Sequence, residues 1–408
     1  MLPSTARALA LSSSTLSLVL ACALRASATP RPNAPQSGPR AAPMLRQTDT
    51  DVLAVSADRR TAVVRIRNLR DRNVLPRYRS VEIASQRVLQ EWSLGARDGL
   101  ETNVFFGRTR REGIAAMADA PAHRLDIARQ SAAFASVSTN NDQRFAVGAS
   151  RVAFVIGDDL WTSDRSGAGS RRVSTTPAAY GPIPSPDGQR VAFTGMIGRL
   201  DGVVGNYVLH FLDLRGRASP VAASSTRDVS YADLAWSPNG NYVYARMGSE
   251  HAEGGCLVRV VARPPFNVER LACVDRSERI DLVAYSPNRR WAVVHGAMVY
   301  QTGGARHSLQ WVDLSTGQVT ATARFAGISS AGAVSDRGVY VAQSGAQAMM
   351  LDPSARRLST TTDNVSVPIA FHNAAWIDDD RYIVGNDGNV RVIDLRTVRW
   401  TAGSWPSV

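Results

Sequence analysis

The sequence predicts an all-β protein, a β-propeller most simply built from seven four-stranded blades. The main observation is a tight polar turn that recurs with apolar segments on both sides. The turn residues are Ser185, Pro186, Asp187 and Gly188, then Ser237, Pro238, Asn239 and Gly240, then Ser286, Pro287 and Asn288. A degenerate copy begins at Ser335, and the spacings between the four serines are 52, 49 and 49 residues. One strand-turn-strand unit at a near-constant period is typical of radial β architectures.

The chemistry of this turn explains why antiparallel strands leave it. Proline presets the φ of the second turn position, Asp or Asn bonds its own backbone, and glycine supplies the positive φ that closes the loop. A single four-stranded sheet cannot cover both of its apolar faces, so each sheet must pack between neighbours. Closing the series into a ring removes the uncovered ends. Unrelated hairpins in a β-sandwich are the alternative, and the constant period disfavours them because sandwiches do not need one.

Outer hairpins follow the turns and bring the count to seven units within residues 50–408. In the final unit, the sequence predicts that residues 390–395 pair with residues 398–401. Each complete unit would then supply the four strands of one blade.

Residues 97–136 are the least regular part of this region. Residues 103–106 suit a strand, whereas residues 112–118 and 125–135 also suit helical turns. We interpret this segment as an insertion or a decayed blade, which leaves six or eight blades open as alternatives.

The N-terminus predicts export. Residues 1–28 have the pattern of a secretory signal, with Arg7 as a positive n-region, a short apolar core at 16–24 and an A-x-A cleavage site at 26–28. Residues 29–49 are proline-rich and predict an extended linker. We therefore expect a periplasmic or secreted protein.

A second interpretation of the same segment concerns Cys22. Residues 19–22 resemble a bacterial lipobox, and cleavage before Cys22 would leave a lipidated protein tethered to a membrane. The soluble form is favoured because Leu20 is unusual in a lipobox and Arg25 follows closely. Membrane association is expected only if Cys22 is lipidated.

The charged residues exclude several kinds of site. The formal net charge is +12, and it comes from arginine alone because the chain has no lysine. This rules out a P-loop lysine, a Schiff-base lysine and a Ser-x-x-Lys nucleophile. The arginines are scattered through turns and strand edges and form no stripe with interleaved aromatic residues, so no nucleic-acid partner is predicted.

The repeated turn, together with the hairpin of residues 160–174, resembles the WD40-like repeat of TolB-type β-propellers over residues 50–401. This resemblance implies a propeller and says almost nothing about function. TolB has an additional α/β domain before its propeller, for which residues 29–50 are too short. The repeat also resembles the propeller of prolyl-oligopeptidase-type serine peptidases, as does the opening unit, residues 51–83. We expect no hydrolase domain here, since Val408 directly follows the last blade.

Catalytic motifs are not recognisable in the sequence. The nearest string to a nucleophile elbow, residues 327–331, ends in alanine and leads into a strand instead of a helix. The six histidines are isolated in sequence and predict structural or surface roles, although the folded ring could bring some together. Residues 378–380 are three aspartates, which suit calcium ligands but more often end a strand at a blade turn. No cofactor, metal or catalytic residue is predicted.

Two cysteines predict a disulfide. Apart from Cys22, the chain contains Cys256 and Cys273, on the two strands of one outer hairpin. If the hairpin turns around residues 263–266, residues whose numbers sum to 529 face each other, and this pair does. Two packed thiols are the alternative; an oxidising compartment favours the bond.

The function predicted from these features is a non-catalytic exported scaffold that binds a protein or peptide and is expected to be a monomer. A complete ring without a catalytic set supports this prediction, although a fold alone does not name a partner. Two alternatives stay open. One is a stand-alone propeller related to a prolyl-oligopeptidase-type peptidase that gates or recognises peptides, and the other is a lyase or lactonase with a site in the central channel.

Overall fold

The computed structural model describes residues 48–406 with gaps, of which the longest are 94–101, 127–137, 198–205 and 362–373. All regular structure in these residues is β. In the part of the chain that is described, no helical segment has the length and hydropathy needed to cross a bilayer. The predicted signal segment, Cys22 and nearly all of the linker lie outside the described residues.

The first half of the described chain forms antiparallel sheets in sequence order. The first sheet contains β1 (Thr48–Val55), β2 (Thr61–Asn68), β3 (Arg77–Glu82) and β4 (Arg87–Ser93). Smaller sheets follow, from β5 (Thr102–Phe106), β6 (Glu112–Met117) and β8 (His123–Asp126), and from β7 (Ala120–Pro121) and β9 (Ser138–Thr139). The next two are β10 (Phe145–Val147), β11 (Arg151–Ile156), β12 (Asp159–Asp164) and β13 (Arg171–Arg172), then β14 (Ala179–Pro184), β15 (Arg190–Ile197), β16 (Asn206–Asp213) and β17 (Val221–Ala222).

The second half continues the same arrangement. Two four-stranded sheets consist of β18 (Ser230–Trp236), β19 (Tyr242–Gly248), β20 (Cys256–Val261) and β21 (Val268–Cys273), then β22 (Arg279–Tyr285), β23 (Trp291–Val299), β24 (Ala305–Asp313) and β25 (Gln318–Ala326). The last strands are β26 (Ser330–Val334), β27 (Tyr340–Ser344), β28 (Gln347–Asp352), β29 (Arg357–Thr361), β30 (Ala374–Trp376), β31 (Arg381–Asn386), β32 (Asn389–Asp394) and β33 (Trp400–Gly403). In the described residues, seven sheets follow the repeat seen in the sequence, and residues 102–139 add two smaller ones.

The sheets form a propeller, as the turn period predicts. The first strands of successive sheets contact one another, from β10 through β14, β18, β22 and β26 to β30, and β30 contacts β1. These strands therefore lie nearest the axis. The apolar core is divided among the interfaces between sheets, since Val191 and Phe193 pack with Leu160 of the preceding sheet. Likewise, Trp311 packs with Tyr340 of the following one.

Two expectations from the sequence are wrong in detail. Residues 112–117 form the strand β6, and not a helical turn, because both neighbours β5 and β8 pair with it. The final strand, β33, does not pair with β32; it joins the preceding sheet at the edge of β29, so the last sheet has three described strands. A physical reason is the chain beyond β33, where the Trp405 indole packs on Trp311 and donates to the Thr322 carbonyl at 3.0 Å.

The cysteines of β20 and β21 lie opposite each other and form a disulfide in the structure. The assumed register holds only at this end of the hairpin. Nearer the turn, Val260 pairs with Val268, one residue out of that register, and a bulge at Leu271 restores it before the cysteines. The Gly255 carbonyl, adjacent to Cys256, accepts a hydrogen bond from the Val274 amide at 3.1 Å. The disulfide therefore joins two segments that are also linked through their backbones.

Replacing Cys273 by serine should lower the free energy of unfolding by about 3 kcal/mol, because a cross-link closing a loop of this size restricts the unfolded chain. The two cysteines are 17 residues apart. Urea unfolding with and without reductant measures the effect: reductant should weaken the wild type and leave the variant unchanged. Alkylation of the unfolded wild type without reductant should label at most Cys22. Labelling at Cys256 or Cys273 would contradict the bond.

Candidate functional site

A pocket of about 330 Å³ opens where β18 and β22 begin, between two neighbouring sheets. It is bordered by the start of β18, the end of β19, the glycines before β20 and the start of β22. The Gly254 amide bonds to the Glu278 carbonyl, which ties the segment before β20 to the start of β22. Both Gly254 and Gly255 have positive φ, at 92° and 133°. The pocket wall at this point is therefore backbone, without side chains to fill it.

Arg246 fixes the geometry of the pocket from β19. Its Nη1 donates to the Ile280 carbonyl at 2.8 Å, and its Nε lies 3.1 Å from the Asp233 carboxylate. The second contact is an ion pair without hydrogen-bond alignment, since neither atom has a hydrogen-bond partner. Burial raises the pKa of Asp233, and Arg246 opposes that shift. Arg246 thus connects the inner strands of both sheets while one side of it borders the pocket.

Arg279 and Asp281 contribute exposed charges on β22. The Arg279 Nε donates to Asp281 Oδ1 at 3.1 Å, and the Arg279 side chain is 64% exposed. Asp281 is the extra residue of a β-bulge, because Ile280 pairs with Gly296 and Leu282 pairs with His295. A bulge redirects a side chain relative to the regular alternation of the strand. Asp281 is one of the residues that line the pocket at this bulge.

Two buried histidines lie beside Asp281. His295 on β23 and His307 on β24 are 4% and 8% exposed, and His295 Nε2 is 2.9 Å from His307 Nδ1. One ligating atom from each histidine and from Asp281 lies within 4.8 Å of the others. The histidines share the face of the sheet that carries Leu309, which packs toward the following sheet. The cluster therefore extends from the pocket wall into an interface between sheets.

The surroundings favour neutral imidazoles. Burial, reinforced by the neighbouring His307, lowers the pKa of His295 to about 4, and the carboxylate of Asp281 opposes this. Burial also lowers the pKa of His307, again against Asp281. Near neutral pH each ring therefore has one unprotonated nitrogen, which is the form of imidazole that binds metals. His295 Nδ1 is buried and has no hydrogen-bond partner among the described residues.

The repeated turns lie at the other end of the inner strands. β18 begins at the pocket with Ser230 and ends at Trp236, just before the turn at Ser237, about 20 Å away for a strand of this length. In each turn a buried serine hydroxyl accepts a hydrogen bond from a backbone amide four or five residues later. The serines are Ser56, Ser185, Ser237, Ser286 and Ser335. Their hydroxyls are used inside the turn, which indicates a structural role.

Other predicted candidates are dispersed or engaged elsewhere. Asp378 accepts from Arg381, while Asp379 and Asp380 pair with Arg337, so arginines occupy the three aspartates. Residues 327–329 of the elbow-like string lie outside the described residues, and Ser330 begins the strand β26. His251 and His372 are also outside the described residues.

Sequence reasoning missed the cluster of Asp281, His295 and His307. The sequence did contain a usable signal. Assigning facing residues along the hairpin, as was done for the cysteines, would have placed the two histidines on adjacent strands. Leu309 pairs with His295, so His307 lies two residues away on the same face. The third member could not be found in this way, because Asp281 reaches the site through a bulge.

Comparisons with known proteins agree with the architecture. No family model and no curated protein matches the chain. Among solved structures, oligogalacturonate lyase from Vibrio parahaemolyticus is similar with a TM-score of 0.55 and 10% identity, covering 88% of this chain and 92% of its own. A prolyl endopeptidase has a TM-score of 0.51 and 10% identity, covering 88% of this chain and 51% of its own.

A third similar structure is Sqt1 of Chaetomium thermophilum, bound to the N-terminus of ribosomal protein L10. Its TM-score is 0.50 and its identity 12%, covering 86% of this chain and 98% of its own. At such identities the similarity concerns the fold alone. This chain is a β-propeller.

Proposed function

We propose that the chain is a binding propeller that takes a carboxylate-bearing peptide segment in the pocket between β18 and β22. The observation that carries this proposal is the placement of Arg246 and Arg279 around one cavity with a backbone wall. Guanidinium groups recognise carboxylates through charge-assisted, often bidentate hydrogen bonds. The glycine segment lets a ligand approach the main chain closely.

Charge supports an acidic ligand. The full sequence has a formal net charge of +12, and +10 remains once residues 1–28, with Arg7 and Arg25, are removed. Such a charge attracts anionic segments over longer distances and speeds their association. Asp281 neutralises part of Arg279 in the free protein. An incoming carboxylate would share Arg279 with Asp281, while Arg246 stays fixed by Ile280 and Asp233.

A similar structure supports a protein segment as the ligand. Sqt1, a propeller of the same overall architecture, is described as bound to the N-terminus of another protein. Export through residues 1–28, a role in the cell envelope and the TolB-like character of the repeat belong to the same proposal. They are supported by the signal pattern and by the recurring Ser-Pro-Asp-Gly turns.

Charge reversal tests the pocket directly. Arg279→Glu should weaken binding of glutamate-rich peptides by about tenfold or more, since a hydrogen bond to a charged group contributes on the order of 2 kcal/mol. Fluorescence anisotropy with labelled peptides measures the change. Arg215→Glu is the matched control, because Arg215 is also 64% exposed and paired with an aspartate, Asp213.

The control should bind nearly as well as the wild type. Equal losses in both variants would mean that the peptides follow overall charge, and no loss in Arg279→Glu would remove the pocket from the proposal. Oligogalacturonate, a carboxylate-rich saccharide, serves as the competing probe. If it binds at the pocket and gains a double bond detectable by ultraviolet absorption, the lyase alternative replaces the peptide scaffold.

A further inference from the structure

We propose that Asp281, His295 and His307 form a binding site for one divalent transition-metal ion, with zinc as the expected occupant. This proposal does not depend on peptide binding at the neighbouring pocket. It is based on a close contact between two imidazole rings, in which Nε2 of His295 lies 2.9 Å from Nδ1 of His307.

A contact between two imidazole rings is unfavourable at this position in the core. The same face of the sheet is otherwise apolar, with Val293, Leu309 and Trp311 fully buried. A hydrogen bond between two neutral rings satisfies one nitrogen on each. It leaves Nδ1 of His295 buried and without a partner among the described residues. A buried polar atom of this kind costs about 1–3 kcal/mol, so a purely structural role would be better filled by an apolar side chain.

The donor set fits a transition metal. Zinc binds imidazole nitrogen at about 2.0–2.1 Å and carboxylate oxygen at about 2.0–2.2 Å, which sets neighbouring donors about 3.0–3.5 Å apart. One ring nitrogen of each histidine already has nearly this spacing to the other. One donor atom from each of the three residues, Asp281 included, lies within 4.8 Å of the others. To complete the set, the exposed aspartate side chain must move closer and both rings must turn, so that their lone pairs point at the ion instead of along the bond between the rings. Two nitrogens exclude a dedicated calcium or magnesium site, because those ions prefer oxygen ligands.

Asp281 lies between the two histidines' cluster and the neighbouring pocket. Its Oδ1 accepts from Arg279, and its second oxygen has no hydrogen-bond partner among the described residues. Because Asp281 also borders the pocket, it connects the cluster to that cavity. Three protein ligands with an open position are the arrangement of zinc sites that bind water or a substrate.

Cobalt titration tests the site without any activity assay. Metal-free full-length protein without a histidine tag should bind one Co²⁺ per chain, with a visible absorption band that added Zn²⁺ abolishes. His295→Gln and His307→Gln should lose the band. Asp281→Asn, an exposed change that leaves the core intact, should weaken Zn²⁺ binding by about tenfold or more and shift the band. Far-UV circular dichroism checks folding.

The control is His210→Phe, which removes a buried histidine from a different sheet. It should bind Co²⁺ like the wild type. A wild type that binds no more tightly than His295→Gln would overturn the proposal. The same holds if Asp281→Asn retains both the affinity and the spectrum of the wild type, because the carboxylate would then not be a ligand.

Discussion

Gly385→Ala should destabilise the protein by about 3 kcal/mol or more, because the first and last sheets meet at this glycine. A Cβ on Gly385 would lie 1.8 Å from the carbonyl oxygen of Thr50 and 2.5 Å from its carbonyl carbon. These are backbone atoms of β1, so they cannot turn aside as a flexible side chain would. Overpacking usually costs about 1–3 kcal/mol, and a clash with a fixed backbone lies at or above the upper end.

The change acts on the closure of the ring. Val52 and Val64 of the first sheet form one apolar cluster with Ile383 and Val390 of the last. No described sheet contains strands from both ends of the chain, so packing across this interface closes the ring. Moving β1 away from β31 to accommodate a methyl group would open the cluster to water.

Urea unfolding of Gly385→Ala and Gly403→Ala measures the effect against a matched control. Gly403 also lies on a strand, but its new Cβ would lie 3.5 Å from the side chain of Leu358 and 3.8 Å from its carbonyl oxygen. These contacts are ordinary, so the control should change the free energy of unfolding by less than about 0.5 kcal/mol. Equal stability of the two variants would show that the two ends do not pack as described.

The sequence predicted those features of the fold that are determined by a few neighbouring residues. The turns were predictable because six consecutive residues determine each of them, and their regular spacing indicates the repeat. Even there, the sequence pointed to proline and glycine, whereas a buried serine hydroxyl is shared by five turns, including those at Ser56 and Ser335, which lack the proline. Arg59 and Arg289 take the positive φ that glycine takes at Gly188 and Gly240, so glycine is not required.

Features that depend on distant packing were not predictable. The placement of β33 on the preceding sheet depends on Trp405 reaching Trp311. The pocket is formed by four segments from two sheets, and Asp281 lines it at a β-bulge that no turn residue in the sequence indicates. Isolation in sequence therefore says little about isolation in a propeller, where adjacent strands bring together residues a dozen positions apart.

His210 should make the protein lose stability as the pH falls below 6.5. Its side chain is 5% exposed, it stacks on Phe193 with ring centroids 5.1 Å apart, and its Nε2 has no hydrogen-bond partner among the described residues. Burial lowers the pKa of His210 from 6.5 to about 4. In the unfolded chain the ring is in water and takes up a proton near its ordinary pKa of about 6.5.

As the pH is lowered, the unfolded chain binds a proton at His210 before the folded protein does. At pH 7 the ring is neutral in both states, so its full contribution is present. Between about pH 6.5 and 4 the unfolded chain is protonated while the folded protein is not, which favours unfolding. The loss approaches about 1.4 kcal/mol per pH unit and totals about 3 kcal/mol near pH 4.

His210→Phe removes this dependence while keeping an aromatic ring against Phe193. We expect the difference in free energy of unfolding between the variant and the wild type to move in favour of the variant as the pH is lowered from 7.5 to 4.5. Urea unfolding at several pH values measures it, and taking the difference cancels the other histidines and the carboxylates. A difference that stays constant over this range would mean that His210 is protonated as readily in the folded ring as in water, and therefore that water reaches it between the sheets.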